Sequence, residues 1–212
     1  MLRNEHKLKK PFVVLDNCMN KLLWLPIDYP KIPDISPLLI SSVLNEEFAF
    51  WKFLRLTERK ESPYEINEWK LWIRNSYPHL VSWIEGLPFS NIRNIKLNFQ
   101  TSKVKGHIDF VHPDADPELW ENNNSNEPCG YRILVKGSRQ NCLWVKDQSY
   151  TCNMPETTNV YVINHTEGLH GVNDDEDRWT IFCHGEIDPI QHKILLERSL
   201  SRYKKYAIWN NV

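Results

Sequence analysis

The chain has 212 residues, 41% of them hydrophobic and 25% charged, with a formal net charge of −1. That length suffices for one domain with a substantial core. The near-neutral balance gives no electrostatic basis for binding nucleic acid or an anionic membrane surface. Five cysteines, an odd number with no CxxC spacing, speak against a zinc ribbon and a secreted disulfide framework. The first ten residues are charged and lack the apolar segment of a signal peptide. No run approaches the roughly 20 apolar residues of a membrane span, so the expected setting is the reducing cytoplasm. Nine tryptophans are many for this length, and most are expected in the core.

In chain order, residues 1–90 read as a mainly helical support region, 91–187 as a β core and 188–212 as a C-terminal helix, all in a single domain. Pro11 to Leu15 reads as a short strand. Ser36-Pro37 opens an amphipathic helix to about Leu56, with Leu39, Val43, Leu44, Phe48 and Trp51 at helical spacing. Ser62-Pro-Tyr-Glu65 combines an N-cap serine, a first-turn proline and a glutamate three residues on. It predicts a helix over 62–77 with Ile66, Trp69, Trp72 and Ile73 as its apolar stripe. Pro78 ends that helix, and a short one through Trp83 follows.

From Asn91 the period changes from helical to alternating. Ile92 to Phe99 alternates like a half-buried strand. Strands are also expected over Lys105 to Val111, Tyr131 to Val135, twice between Gln140 and Cys152, and over Asn159 to Ile163 and Arg178 to His184. The polar stretch Pro113 to Pro128, with its Asn-rich centre and Trp120, is a loop and a candidate substrate lid. Asp188-Pro189 caps a helix to about Tyr206, with Ile190, Ile194 and Leu195 on its apolar face. Seven or eight short strands with irregular turns predict a mostly β fold with flanking helices and a double-sheet jelly-roll core.

The chemistry concentrates in two stretches, Gly106-His-Ile-Asp-Phe110 and Gly168-Leu-His-Gly171 with Arg178 downstream. Two imidazoles and a carboxylate can occupy one face of an octahedral Fe(II), leaving positions for a co-substrate and O₂. A strand places residues i and i+2 on one side, so His107 and Asp109 can serve one metal, with His170 as third ligand. Arg178 stands an even number of positions after His170, so a continuous extended strand would aim both inward. Its guanidinium grips a carboxylate by a two-pronged fork. His112-Pro-Asp114 is a rival ligand pair, but Pro113 removes a ladder donor and suggests that this segment leaves the sheet. His165, an odd step before His170, reads as structural. His184, an even step after Arg178, reads as core or surface. The acidic run Asp174 to Asp177 lacks the glycine and spacing of an EF-hand loop.

In these stretches, and in Tyr131-Arg-Ile-Leu-Val135, residues 91–189 resemble the Fe(II)/2-oxoglutarate-dependent dioxygenases. They look closest to the aspartyl/asparaginyl β-hydroxylase-like branch. The resemblance implies a double-stranded β-helix (jelly-roll, cupin-like) core. His107, Asp109 and His170 would be iron ligands and catalytic centre, and Arg178 the partner of the far carboxylate of 2-oxoglutarate. An Arg-x-His pattern of that branch is matched at Arg132, while Leu134 stands in place of its histidine. The implied activity is hydroxylation of an unactivated C–H bond with Fe(II), 2-oxoglutarate and O₂, on an amino acid or a polypeptide residue, with no nucleic-acid or membrane partner. The alternative is a non-catalytic jelly-roll module, viral or carbohydrate-binding, with incidental histidines.

Overall fold

Alternation along two long strands sets the architecture. A computed structural model of the chain describes residues 20–58, 68–109, 130–165, 168–173 and 177–211. Strand β3 (Phe89–Gln100) pairs antiparallel with β10 (Arg178–Ile187) over nearly its whole length, from Gln100 opposite Arg178 to Phe89 opposite Ile187. On one face Ile95, Leu97, Ile181 and Cys183 are buried against the helices. On the other, Asn98, Gln100, Thr180 and Phe182 line a cavity. The period of two in the sequence is thus two different environments, one a closed apolar core and one a cavity wall that mixes polar and apolar side chains.

The remaining strands are β1 (Asn20–Pro26), β2 (Phe53–Arg55), β4 (Val104–His107), β5 (Gly130–Lys136), β6 (Leu143–Val145), β7 (Thr151–Cys152), β8 (Val160–Ile163), β9 (His170–Val172) and β11 (Ile208–Asn211). They form two antiparallel sheets. One has seven strands in the order β11-β1-β8-β5-β10-β3-β2, the other four in the order β4-β9-β6-β7. The protein is therefore mostly β, with few helices, in the manner of a β-sandwich. A second apolar cluster, including Leu23, Trp24, Leu134, Val145, Cys152 and Tyr161, joins the two sheets. Among the described tryptophans, Trp24, Trp69, Trp144 and Trp179 are buried, in line with the core reading.

The helices cover the other face of the larger sheet, and here the structure corrects the sequence reading in detail. The single helix expected to about Leu56 is two, α1 (Ser36–Val43) and α2 (Glu46–Trp51). Asn45 caps the second by accepting from the Glu47 amide. Lys52, in a left-handed conformation, ends it and β2 begins at once. Leu38 and Phe48 face the core, whereas Val43 and Leu44 face solvent, so the apolar face lies about one residue from where the spacing put it. The helix expected over 62–77 is seen as α3 (Leu71–Ser76), preceded by Trp69 in an isolated bridge with Thr57. Trp69 is buried and donates its indole N–H to Glu85. Next comes α4 (Pro78–Glu85), as expected after Pro78. Residues 11–15 and the Ser62 cap lie outside the described residues.

Helix α5 (Pro189–Tyr203) starts where predicted, with Asp188 accepting from the amides of Ile190 and Gln191. Its buried face is Leu195, Leu196, Ser199 and Tyr203 with His192. Ile190 and Ile194 are exposed. His192 lies against the sheet, its Nδ1 2.8 Å from the Tyr131 hydroxyl. Its Nε2 is buried and has no hydrogen-bond partner among the described residues. Burial pushes the imidazole pKa down to about 4.

That shift makes His192 an acid-sensitive point. As pH falls the unfolded chain takes up this proton first, so stability is lost between the ordinary pKa of about 6.5 and the folded value. We expect the wild type to lose about 2 kcal/mol from this group between about pH 7 and about pH 4.5. His192→Gln, which can still bond Tyr131 but does not titrate, should lose correspondingly less in urea unfolding at the two pH values. Equal losses would acquit His192.

Candidate metal centre and adjoining cavity

The centre is built by the pairing of two short strands. Strands β4 and β9 run antiparallel with His107 and His170 directly opposite one another. Directly opposed residues project to the same face, and the two imidazole centroids are 4.4 Å apart. Asp109 joins them by a route that differs from strand alternation. Strand β4 ends at His107, and Asp109 lies past that end, its amide donating to the His165 carbonyl at 2.9 Å. Its carboxylate oxygens lie 3.3 Å from His107 Nε2 and 3.9 Å from His170 Nε2.

One ligand atom from each of the three lies within 4.8 Å of the others. Neighbouring ligand atoms on a small divalent ion with bonds near 2.1 Å sit roughly 3 Å apart, so slight contraction closes the set around one metal. Both imidazoles are oriented in the same way. His107 Nδ1 is 2.9 Å from the Lys105 carbonyl, and His170 Nδ1 is 2.9 Å from the Gly168 carbonyl. Each Nδ1 therefore carries the proton and donates it to a main-chain oxygen two residues back. Each Nε2 then offers its lone pair toward Asp109. Burial holds the pKa of His170 below the ordinary histidine range, against the raising effects of the Gly168 carbonyl and Asp109. A neutral imidazole is the form that binds a metal.

Two glycines and one tryptophan hold the strands in register. A Cβ on Gly106 or Gly171 would meet the Trp144 ring at 2.5 Å, and one on Gly171 would also meet the Val104 carbonyl at 2.6 Å. Trp144, on β6 opposite Gly171, is buried. Its indole packs against the bare backbone beside both histidines, so Gly106 and Gly171 leave the room that a Cβ would fill.

The triad opens on a cavity of about 230 Å³ between the sheets. Arg178, Arg132, Tyr161 and Thr180 line it, as do Asn98 and Phe182. Arg178 is buried. It donates from Nε to Thr180 Oγ1 at 3.2 Å, from Nη2 to the Tyr161 hydroxyl at 2.9 Å, and from Nη1 to the Cys142 carbonyl. A guanidinium has five N–H groups, so two remain for a ligand. Arg132 is also buried, with its guanidinium 4.2 Å over the Phe182 ring and Nη1 donating to the Tyr131 carbonyl. Among the described residues no carboxylate pairs with either arginine.

All five residues singled out from the sequence, His107, Asp109, Arg132, His170 and Arg178, line this one cavity. The route to Arg178 differs from the expected continuous strand: His170 and Arg178 lie on β9 and β10, in different sheets. His165 is buried and does not line the cavity, though its main chain positions Asp109. His184 does not line it either. His112, Asp114, Trp120, the segment 113–128 and Asp174 to Glu176 lie outside the described residues. Tyr161 and Thr180 were missed in the sequence. Alternation from Arg178 would have placed Thr180 and Phe182 beside it, and alternation along β8 would have set Tyr161 and Ile163 apart from Val160 and Val162.

Fold and site together define a two-sheet antiparallel β protein in which His107, Asp109 and His170 can bind a metal. No protein-family model matches the chain, and no curated protein is significantly similar to it in sequence.

Metal titration should give one divalent ion per chain, with tight binding abolished in His107→Ala and in His170→Ala. Wild-type affinity in His107→Ala, with loss in His112→Ala, would move the site to the rival pair. Gly171→Ala touches no ligand, yet it drives a methyl group into Trp144. It should weaken metal binding about tenfold, as loss of support around a metal ligand does. Unchanged affinity would show that Trp144 does not hold the register.

Proposed function

We propose that this protein is an Fe(II)- and 2-oxoglutarate-dependent oxygenase that hydroxylates an unactivated C–H bond of a small molecule, such as an amino acid, or of a polypeptide residue. The observation that carries this reading is Arg178. It is a buried cation without an acidic partner among the described residues, in the same cavity as a His/Asp/His group. A buried charge is costly unless an opposite charge meets it, so this cavity is suited to an anionic ligand beside a metal. A non-catalytic jelly-roll module has no use for that pairing.

The fold supports the same reading. Of the eight strands β3 to β10, four belong to each sheet, and the chain crosses between sheets at almost every step. That interleaving is what a jelly roll requires. The triad sits where β4 and β9 of the smaller sheet face the arginines of the larger one.

His107, Asp109 and His170 would hold the iron, and as two neutral ligands and one anion they suit a ferrous ion with open positions. Bound iron supplies oxidative chemistry in which 2-oxoglutarate and O₂ yield succinate and CO₂ while one oxygen atom enters the substrate C–H bond. The chain's own residues bind and orient. Arg178 offers its two remaining N–H groups to the far carboxylate of 2-oxoglutarate. Tyr161 and Thr180 already accept from Arg178, which leaves their hydroxyl hydrogens free to donate to the same carboxylate. Burial keeps the Tyr161 pKa raised, so that hydroxyl stays a donor. Arg132 over Phe182 walls the cavity and adds positive potential.

The test is anaerobic addition of Fe(II) and 2-oxoglutarate, followed by visible spectroscopy and, in air, a substrate screen that reads succinate. A weak visible charge-transfer band is expected for the wild type. Arg178→Lys should bind 2-oxoglutarate about tenfold more weakly, because a point charge replaces a fork, with metal affinity little changed. Equal 2-oxoglutarate affinity in wild type and Arg178→Ala would remove Arg178 from the site. No band and no succinate would return the protein to the class of binding modules.

A further inference from the structure

The larger sheet carries a second set of cations beside the cavity. Arg55 lies opposite Lys96, Lys96 opposite Phe182, Phe182 opposite Arg132, and Arg132 opposite Tyr161. Directly opposed residues share a face. The five therefore form one row across β2, β3, β10, β5 and β8, on the face that carries Thr180 and Arg178. With strands about 4.8 Å apart, Arg55 and Lys96 are neighbours and Arg132 follows two strands on. Aromatic rings separate the charges: Arg55 and Lys96 both lie over Phe53, at 5.7 and 5.3 Å, and Arg132 lies over Phe182.

Charge accounting shows that these cations are surplus to the proposed co-substrate. A ferrous ion with two neutral histidines and one carboxylate carries +1, and Arg178 adds another. Together they balance the two negative charges of 2-oxoglutarate. Arg132 and Lys96 remain. Among the described residues no carboxylate pairs with Lys96 or Arg132. Glu186, farther along β10, is held by Arg93 and Asn91. Burial, and after it the repulsion of Arg55 and Arg132, lowers the Lys96 pKa, so these groups sense one another's charge. Like charges held together on a partly dried surface are costly, and an oxyanion between them relieves that cost.

We propose that Lys96 and Arg132 form a second anion subsite that reads an acidic group, a carboxylate or a phosphate, on the primary substrate. This rests on the oxygenase reading above and narrows its substrate class to organic oxyanions. The row leads from the cavity, where Arg132 and Tyr161 stand, to the edge strand β2, where Arg55 stands. A substrate anchored by its acidic group near Lys96 would direct the rest of its carbon chain past Phe182 toward the triad.

The test uses the full chain with saturating Mn(II) in place of iron. Binding of 2-oxoglutarate is recorded first. Its absence in the wild type would count against the oxygenase reading, and it should be equal in wild type, Lys96→Met and Lys96→Arg. With 2-oxoglutarate saturating, so that Arg178 is occupied, methyl phosphate and acetate are titrated in turn. At least one should bind to the wild type and to Lys96→Arg, and about tenfold more weakly to Lys96→Met, as expected for loss of one charge-assisted hydrogen bond. Whichever probe binds tells phosphate from carboxylate. Binding of neither probe, equal affinity in Lys96→Met and wild type, or equal loss in Lys96→Arg and Lys96→Met would each overturn the subsite.

Discussion

The structure turns on one register, the placement of His107 on β4 directly opposite His170 on β9. Side chains alternate along a strand, so a slip of one residue would send one imidazole to the opposite face and dissolve the ligand set. Both strands are short, four residues and three, and their own ladder offers little to resist such a slip. Trp144 supplies the resistance. It fills the space over Gly106 and Gly171, and in the observed register that space exists only because neither residue has a Cβ. The Nδ1 bonds to Lys105 and Gly168 then fix the rotation of each ring. Packing, main-chain hydrogen bonding and ligand geometry thus act at the same few residues.

A second constraint shapes the cavity beyond the triad. Buried guanidinium groups are stable only if their donors are satisfied and their charge is met. The protein satisfies part of the Arg178 donor set with Thr180, Tyr161 and the Cys142 carbonyl, all neutral acceptors. It rests Arg132 on an aromatic face and a main-chain carbonyl. Part of the donor set is ordered while no carboxylate among the described residues meets either charge, an arrangement suited to an anionic ligand. The cavity side of the larger sheet thus sets the polar Arg132, Arg178 and Thr180 among the apolar Phe182 and Ile163, and the rigidity that holds it comes from the opposite face, where Ile95, Leu97, Ile133 and Ile181 pack under the helices.

The β half of the chain was legible because its signals are local. Alternation located β3, short runs rich in β-branched and aromatic residues located β5, β8 and β10, and Asp188-Pro189 marked the start of α5. The members of the site were legible as well, since His-x-Asp, a later histidine and a following arginine form a recognisable set. The route by which they meet was not. Asp109 lies beyond its strand, and His170 and Arg178 lie on different sheets, because turns that send a chain from one sheet to the other leave little trace in periodicity. The helical half read less well. Leu44 and Asn45 break an apparently continuous amphipathic run, and tertiary packing chose Leu38 over Leu39 for burial. Strand β1 lacks alternation because both of its faces are buried, Leu22 and Leu25 in one apolar cluster and Leu23 and Trp24 in the other, and a bulge between Leu22 and Trp24 interrupts its pairing with β11. Lys96 escaped notice because a lone lysine in an alternating strand acquires meaning only when Arg55 and Arg132 are set beside it.

His107, Asp109 and His170 are arranged so that one metal ion can sit between them. The most direct measurement is anomalous diffraction from crystals of the full chain equilibrated with Mn(II). One strong peak per chain is expected at coordination distance from both Nε2 atoms and the Asp109 carboxylate. A peak beside His112 and Asp114 instead, or no peak in crystals whose Mn(II) concentration saturates binding in solution, would contradict it.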